Sequence, residues 1–432
     1  MKKCVVLCAA FFVLAFAGLG RADDAELKRE LQMLKQRVQE LEAKLKAQEA
    51  IQRSTAAAPG DTQMGGEEPT SIQDMIMEKF GTLSIHGGVL TYYQGRNGPN
   101  IDDMDYSGTS GAGYVADLEL SFEPTPNGEF FMRIHAGEGQ GADKDLDDEG
   151  ALFANLNTIA DDNPENEGVS VLEAFYTHKF FEERLFVSVG KSEQVAFIDD
   201  NEFANDEATQ FVGKPFVVSP MLDSEDEYAP MLAVGFSPVD NLEMVVLYES
   251  TSRPLLSDED QKSVWDDIFD NPFVAAQMTF SPEFNGLQGN YRVYGWGATY
   301  KHPKIVGEGT DRGWGIGLSL DQMVHDKVGL FARLAYSNDN VYEVPWFWSF
   351  GANLKGMIPN RDDDEIGLGV AGLKANDDLD NDGTEYHLEA YYRIVLSEHL
   401  AISPDIQFVI NPLGDTNNDN VVAFMIRGEF NF

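Results

Sequence analysis

The chain has 432 residues, 73 acidic and 31 basic, giving a formal net charge of −42, with 11% aromatic residues and two cysteines. That balance argues against nucleic acid or an anionic surface as a partner. Both cysteines, Cys4 and Cys8, fall in the first ten residues, which excludes disulfides, thiol catalysis and cysteine-ligated metals from the rest.

Residues 1–22 read as a secretory leader: Lys2 and Lys3, an apolar run from Cys4 to Leu19, and a Gly20-Arg21-Ala22 cleavage signal. Removing it takes away Lys2, Lys3 and Arg21 and moves the net charge from −42 to −45. No later apolar run reaches about 18 residues, so no helix is expected to span a bilayer. In residues 23–52, Leu27, Leu31, Leu34, Val38, Leu41 and Leu45 recur at alternating spacings of four and three. That is a heptad seam, expected either to join protomers as a coiled coil or to lie as a single amphipathic helix on the protein's own surface. Residues 53–82 form a linker with APG, GG and EEP, then a short amphipathic helix capped by Ser71.

From Leu83 the apolar period becomes two, as in half-wet strands. Sixteen strands are predicted, starting near 83, 112, 128, 169, 184, 228, 241, 272, 289, 313, 328, 344, 364, 384, 399 and 420. The last is the clearest. Val422, Phe424, Ile426, Gly428, Phe430 and Phe432 share one face; Met425, Arg427, Glu429 and Asn431 share the other. Short turns such as Pro124–Asn127 and Phe181–Arg184 alternate with long acidic loops at 96–111, 139–168, 192–227, 251–271, 302–312, 375–383 and 412–419. Ser257 reads as a helix start inside the fourth of these. Short turns on one side and long loops on the other are the pattern of an outer-membrane barrel. The expected fold is therefore all-β: a sixteen-stranded antiparallel transmembrane β-barrel (83–432) with an aqueous lumen and an N-terminal periplasmic coiled-coil helix.

Three segments carry a resemblance: FIDDNEFANDEATQF (197–211), PNRDDDEIGLGVA (359–371) and EYHLEAYYRIVLSEHLAISPDIQFVINP (385–412). In this order and spacing they resemble the carbohydrate-selective porins of the OprB type. The resemblance implies a channel in the outer membrane of a Gram-negative bacterium for passive sugar uptake, narrowed by inward-folded loops. Its partners would be outer-membrane lipid, lipopolysaccharide and sugars. A homo-oligomer is expected, with a trimer preferred because porin trimers are common in the wider class. The acidic loops also fit a general cation-preferring pore, and the N-terminal helix fits a structural barrel tied to the cell wall.

Neutral sugars are held by carboxylate, amide and guanidinium hydrogen bonders. Glu202, Asn205, Asp206 and Gln210 lie in the segment that resembles the family's constriction loop. Arg133, Arg393 and Arg427 fall on predicted inner faces beside Glu119, Glu173, Glu385 and Glu389. These side chains either line the channel or anchor its loops. Asp378, Asp380 and Asp382, with Gly383 and Glu389, match the spacing of a calcium loop, although a strand follows where a helix should. The alternative for such acidic loop tips is hydration or bridging by divalent ions at the lipopolysaccharide surface, so calcium is the one cofactor considered. No nucleophile–base arrangement, H-E-x-x-H or phosphate loop occurs, so no enzyme is expected.

Overall fold

The computed structural model describes residues 83–432 apart from 143, 149, 162–167, 224–227, 252–263, 266–267 and 270–271. The expected leader, heptad helix, linker and Ser257 helix start lie outside the described residues.

Sixteen strands form the wall. They are β1 (Leu83–Arg96), β2 (Thr109–Thr125), β3 (Gly128–Glu138), β4 (Val169–Phe180), β5 (Leu185–Ser192), β6 (Ala229–Val239), β7 (Leu242–Glu249) and β8 (Phe273–Phe280). The circuit continues with β9 (Leu287–Pro303), β10 (Thr310–His325), β11 (Val328–Ser337), β12 (Trp346–Lys355), β13 (Glu365–Lys374), β14 (Thr384–Ser397), β15 (Leu400–Ile410) and β16 (Val421–Asn431). Each pairs antiparallel with its chain neighbours, and β16 returns to β1 in the register Gly88↔Asn431 to Arg96↔Ala423. A seventeenth ribbon in the sheet is only Glu283–Phe284, in the turn before β9. Every predicted strand start lies within three residues of the observed one.

Closure explains why the alternation is so clean. A barrel satisfies every backbone donor inside lipid because it has no edge, and its two faces meet different media. On β16, Val422, Phe424, Ile426 and Phe430 are exposed on the outside, whereas Ala423, Met425, Arg427 and Glu429 are buried on the inside. At the seam, the Gly87 amide donates to the Phe432 carbonyl (3.1 Å) and the Phe432 amide returns the bond to Gly87 (2.9 Å). A β-carbon on Gly87 would lie 2.3 Å from the Phe432 ring, so only glycine lets the terminal ring lie across β1.

Outside, two aromatic bands mark the bilayer interfaces. Trp314, Tyr336 and Trp346 lie toward the long-loop end; Phe180, Phe236, Phe280 and Phe430 lie toward the short-turn end. Inside, the lumen is only partly open. The described parts of loops 139–168 and 192–228 fold into it, and their side chains form dry clusters with the wall. One such cluster joins Phe203, Phe211, Phe216 and Met221 of the longer loop to Phe331, Phe347, Leu373 and Tyr391.

Candidate functional site: an acidic passage beside two docked loops

The longer loop is held by strand residues whose charges point inward. Arg333 on β11, 2% exposed, is its central post. One terminal nitrogen donates to the carbonyls of Ala204 (2.7 Å) and Phe216 (2.9 Å), the other to that of Asp199 (2.9 Å), while Nε lies 3.1 Å from the Asp199 carboxylate. Arg292 on β9 bridges Asp321 of β10 and Asp200 of the loop. The Asn201 amide reaches the Ser319 hydroxyl and the Leu320 carbonyl. Glycines of the wall make room for the rings: a β-carbon at Gly329 would lie 2.3 Å from Phe203, and one at Gly369 2.7 Å from Phe216. Gly369 belongs to the IGLGVA stretch, and its role is to admit the loop.

Several residues singled out from sequence serve this docking. Glu389 accepts the amides of Val212 (2.6 Å) and Gly213 (2.9 Å). Arg427, 1% exposed, donates to the Gln210 carbonyl (2.6 Å) and to that of Glu207. Glu385 accepts the amides of Phe153 (3.0 Å) and Leu413 (2.9 Å) and pairs with His387, so it ties down the other loop. Within loop 192–228, Gln210 clasps the Asn205 amide and the Glu202 carbonyl, and Asp206 accepts from Ala208 and Thr209. The Glu202 amide meets Asp321. Burial, and then the Asp321 carboxylate beside it, push the Glu202 pKa up.

Between these docked loops and the opposite wall lies a cavity of about 400 Å³. Glu119, Arg133 and Glu173 border it from β2, β3 and β4, and Asn205 and Asp206 border it from the loop. The structure thus brings these five predicted residues together, and it places Glu385, Glu389, Arg427 and Gln210 outside that cavity. Arg133 stands between two carboxylates, 2.9 Å from Glu173 and 3.7 Å from Glu119. Sequence reasoning did not name Asp117, Asp161, Glu193, Glu207, Lys214 or Tyr228, which also line the cavity. Asp117 was legible on the same alternating face as Glu119; the others depend on how the loops fold.

A second cavity, of about 430 Å³, shares Asp117, Glu119, Glu207 and Ala208 with the first and extends to Asn431 and Phe432 at the short-turn end. Glu429 lines it and receives both ends of the Arg393 guanidinium at 2.8 Å. The two cavities adjoin along the four shared residues.

Among the described residues no three His, Cys, Asp or Glu side chains converge as metal ligands. Asp378, Asp380 and Asp382 are no exception: the Asp378 amide is taken by Asn376, and the Asp382 carbonyl accepts from Lys374. Glu389, the twelfth position of that spacing, is committed to the loop amides.

The profile described as "Carbohydrate-selective porin, OprB family" matches residues 101–432. An uncharacterized protein of Aquifex aeolicus is 28% identical over 260 residues, 60% of this chain and 69% of its own. Porin B of Pseudomonas aeruginosa is 26% identical over 146 residues, 28% of this chain and 32% of its own. Among solved structures, the high-pH form of Pseudomonas putida OprB superposes with a TM-score of 0.70 at 18% identity, covering 83% of this chain and 96% of that one. A closed sixteen-stranded wall, loops folded into its lumen and a profile match over most of the chain agree: the chain belongs to the carbohydrate-selective porin (OprB) family and forms an outer-membrane channel.

Proposed function

We propose that sugars diffuse passively through the passage between the docked loops and the β2–β4 wall, and that Glu119, Arg133, Glu173, Asn205 and Asp206 are the groups they meet at its narrowest part. The observation that carries this reading is that two cavities of about 400 and 430 Å³ share Asp117, Glu119, Glu207 and Ala208 as lining, beside one carboxylate–guanidinium–carboxylate row. Each lies in the range of roughly 300–1,000 Å³ usual for small-molecule sites. A planar guanidinium and flanking carboxylates offer fixed donors and acceptors to sugar hydroxyls. Glu385, Glu389, Arg427 and Gln210 then act on sugars only indirectly, by holding the loops in place.

Charge favours a second property of the same channel. Seven carboxylates line the first cavity (Asp117, Glu119, Asp161, Glu173, Glu193, Asp206 and Glu207) against two cations, Arg133 and Lys214. Such a lining concentrates cations and repels anions. Planar-bilayer recording tests both: saturable block by a sugar, weakened by Glu119→Gln, and a cation-selective reversal potential are expected. Conductance indifferent to every sugar tried would refute the sugar route.

The heptad leucines of residues 23–52 support association of protomers through this segment. A trimer held partly by this helix is expected to fall apart in detergent when residues 24–52 are deleted. An unchanged oligomer would assign the seam to a cell-wall partner.

A further inference from the structure

We propose that Asp405 on β15 is a positioning residue of the constriction: it carries a proton that it donates to Glu389, and this shared proton keeps the 207–213 stretch of the longer loop against the wall. Loop docking, and with it the width of the pore, then weakens as pH rises. The inference needs only the channel and its docked loop, whatever solute passes.

The two carboxyls share the inner face of the wall. Glu389 and Gln407 are directly opposed across β14 and β15, and Asp405 opposes Tyr391 two residues along the same face. All four are buried, Asp405 at 5% exposure and Glu389 at 4%. Their hydrogens are unevenly supplied. Glu389 receives two, from the amides of Val212 and Gly213. Asp405 receives none: neither carboxyl oxygen has a donor. The polar side chains that face it are Glu389, Gln407 and Arg427. Gln407 commits its amide nitrogen to the Leu156 carbonyl of the other loop (3.0 Å), and its oxygen also lacks a donor. Arg427 commits its terminal nitrogens to the Glu207 and Gln210 carbonyls. Two carboxyls and an amide oxygen therefore meet in a dry place with no hydrogen to share.

A buried carboxylate without a donor is costly, and two of them in one site do not both ionise. One proton removes the conflict. On Asp405 it satisfies a Glu389 oxygen, which has a lone pair left beyond its loop amide, and a single negative charge then faces Arg427. Asp405 is the carrier because Glu389 must accept from both loop amides. The surroundings offer no substitute. Tyr391 from β14 accepts from Asn353, β13 opposes Glu389 and Tyr391 with Gly369 and Gly367, and β16 opposes Asp405 with Met425. The adjacent pairs Glu385–His387 and Arg393–Glu429 are matched within themselves.

The link to the pore is direct. Glu389 and Arg427 hold the backbone at 207, 210, 212 and 213, and Glu207 and Ala208 border both cavities. Loss of the proton sets a second negative charge beside Glu389. It also offers Arg427, whose Nε has no acceptor, a carboxylate to turn to and away from the loop. With the loop released, Asp405 meets water and ionises above its ordinary value of about 4; docked, it binds one proton more. Docking is therefore strongest at low pH, and the ratio of docked to released loop falls by up to about tenfold per pH unit.

The test is single-channel recording of the full chain in planar bilayers between about pH 6 and about pH 9, with excursions to a larger conductance growing by up to about tenfold per unit. Asp405→Asn, whose amide donates to Glu389 at any pH, should abolish that slope and leave the loop docked. Asp405→Thr offers a smaller neutral donor and should flatten the slope as well. The infrared spectrum of the parent minus that of Asp405→Asn, taken at neutral pH, should show a protonated-carboxyl C=O band, which a purely structural role would not produce. Heat-modified gel mobility confirms that each variant keeps its barrel. A parent without a pH slope, a folded variant with the parent's slope, or a difference spectrum without that band would overturn the proposal.

Discussion

Arg333→Met puts the constriction to its most direct test. Methionine keeps the length of the stem but offers no donor. The buried Arg333 guanidinium meets the Asp199 carboxylate at 3.1 Å and caps the carbonyls of Asp199, Ala204 and Phe216 at 2.7–2.9 Å. Removing one partner of a buried pair costs about 3–5 kcal/mol, because the other charge is left without compensation. At about 1.4 kcal/mol per decade, the ratio of docked to released loop falls by roughly two to four orders of magnitude. The 207–213 stretch is still held by Glu389 and Arg427, so release begins at 199–205.

Single-channel recording should then show frequent excursions to a larger conductance, and sugar block should weaken with the fraction of time spent there. Gel mobility before and after heating should stay that of a folded barrel, since the strand ladder does not use Arg333. Adding Asp199→Leu to Arg333→Met should recover part of the loss, the part due to the stranded carboxylate. Conductance and block indistinguishable from the parent, in a folded Arg333→Met barrel, would refute the idea that this loop sets the pore.

Three further outcomes follow from the same geometry. Gly369→Leu should open the channel without altering any charge, since its side chain would collide with the Phe216 and Phe211 rings; overpacking of this kind costs roughly 1–3 kcal/mol, and an unaltered conductance would speak against the docking. Arg133→Ala removes one of the two cations beside the passage and should move the reversal potential further toward cation selectivity; a shift toward anions would contradict the acidic-lining account. Asp364, in the turn between β12 and β13, is pushed up by burial, but bonds from Arg361, Tyr392 and the Val395 amide outweigh that and hold it below its ordinary 3.8. A depressed carboxyl stabilises the fold above its unfolded value near 4, and that contribution disappears as pH falls through the folded value. Asp364→Asn should therefore lower the heat-modification temperature at pH 7, with the deficit shrinking as pH falls below the unfolded value; a deficit that does not change with pH would mean the clasp does not act through charge.

The wall was legible because two solvents write it. Lipid outside and water or loop inside impose period two on every strand, and the need to cross the membrane fixes strand length, so even the weak alternation of β4 and β5 had a place in the count. The site was less legible because alternation says which side of the wall a residue faces and nothing about what stands in front of it. Arg427 and Glu119 both read as inward; Arg427 meets loop carbonyls in a dry cluster, whereas Glu119 borders open space. The dividing line is set by docking. Around β10–β14 the inner face carries rings and buried pairs such as Phe331, Phe347 and Arg333, whereas around β1–β4 it borders the passage. One hint was present in β11, where inward Arg333 is flanked on its own face by Phe331 and Ala335. An arginine in such company needs acceptors that its own strand cannot supply, and only a loop folded into the lumen brings them. An inward charge among apolar inward neighbours therefore identifies an anchor, whereas charged neighbours do not by themselves identify the channel: Glu385 and Glu389 flank His387 and still hold loops. Substitutions expected to alter sugar recognition lie on β2, β3 and β4, and those expected to alter pore size lie on β9–β14 and at Arg427 on β16.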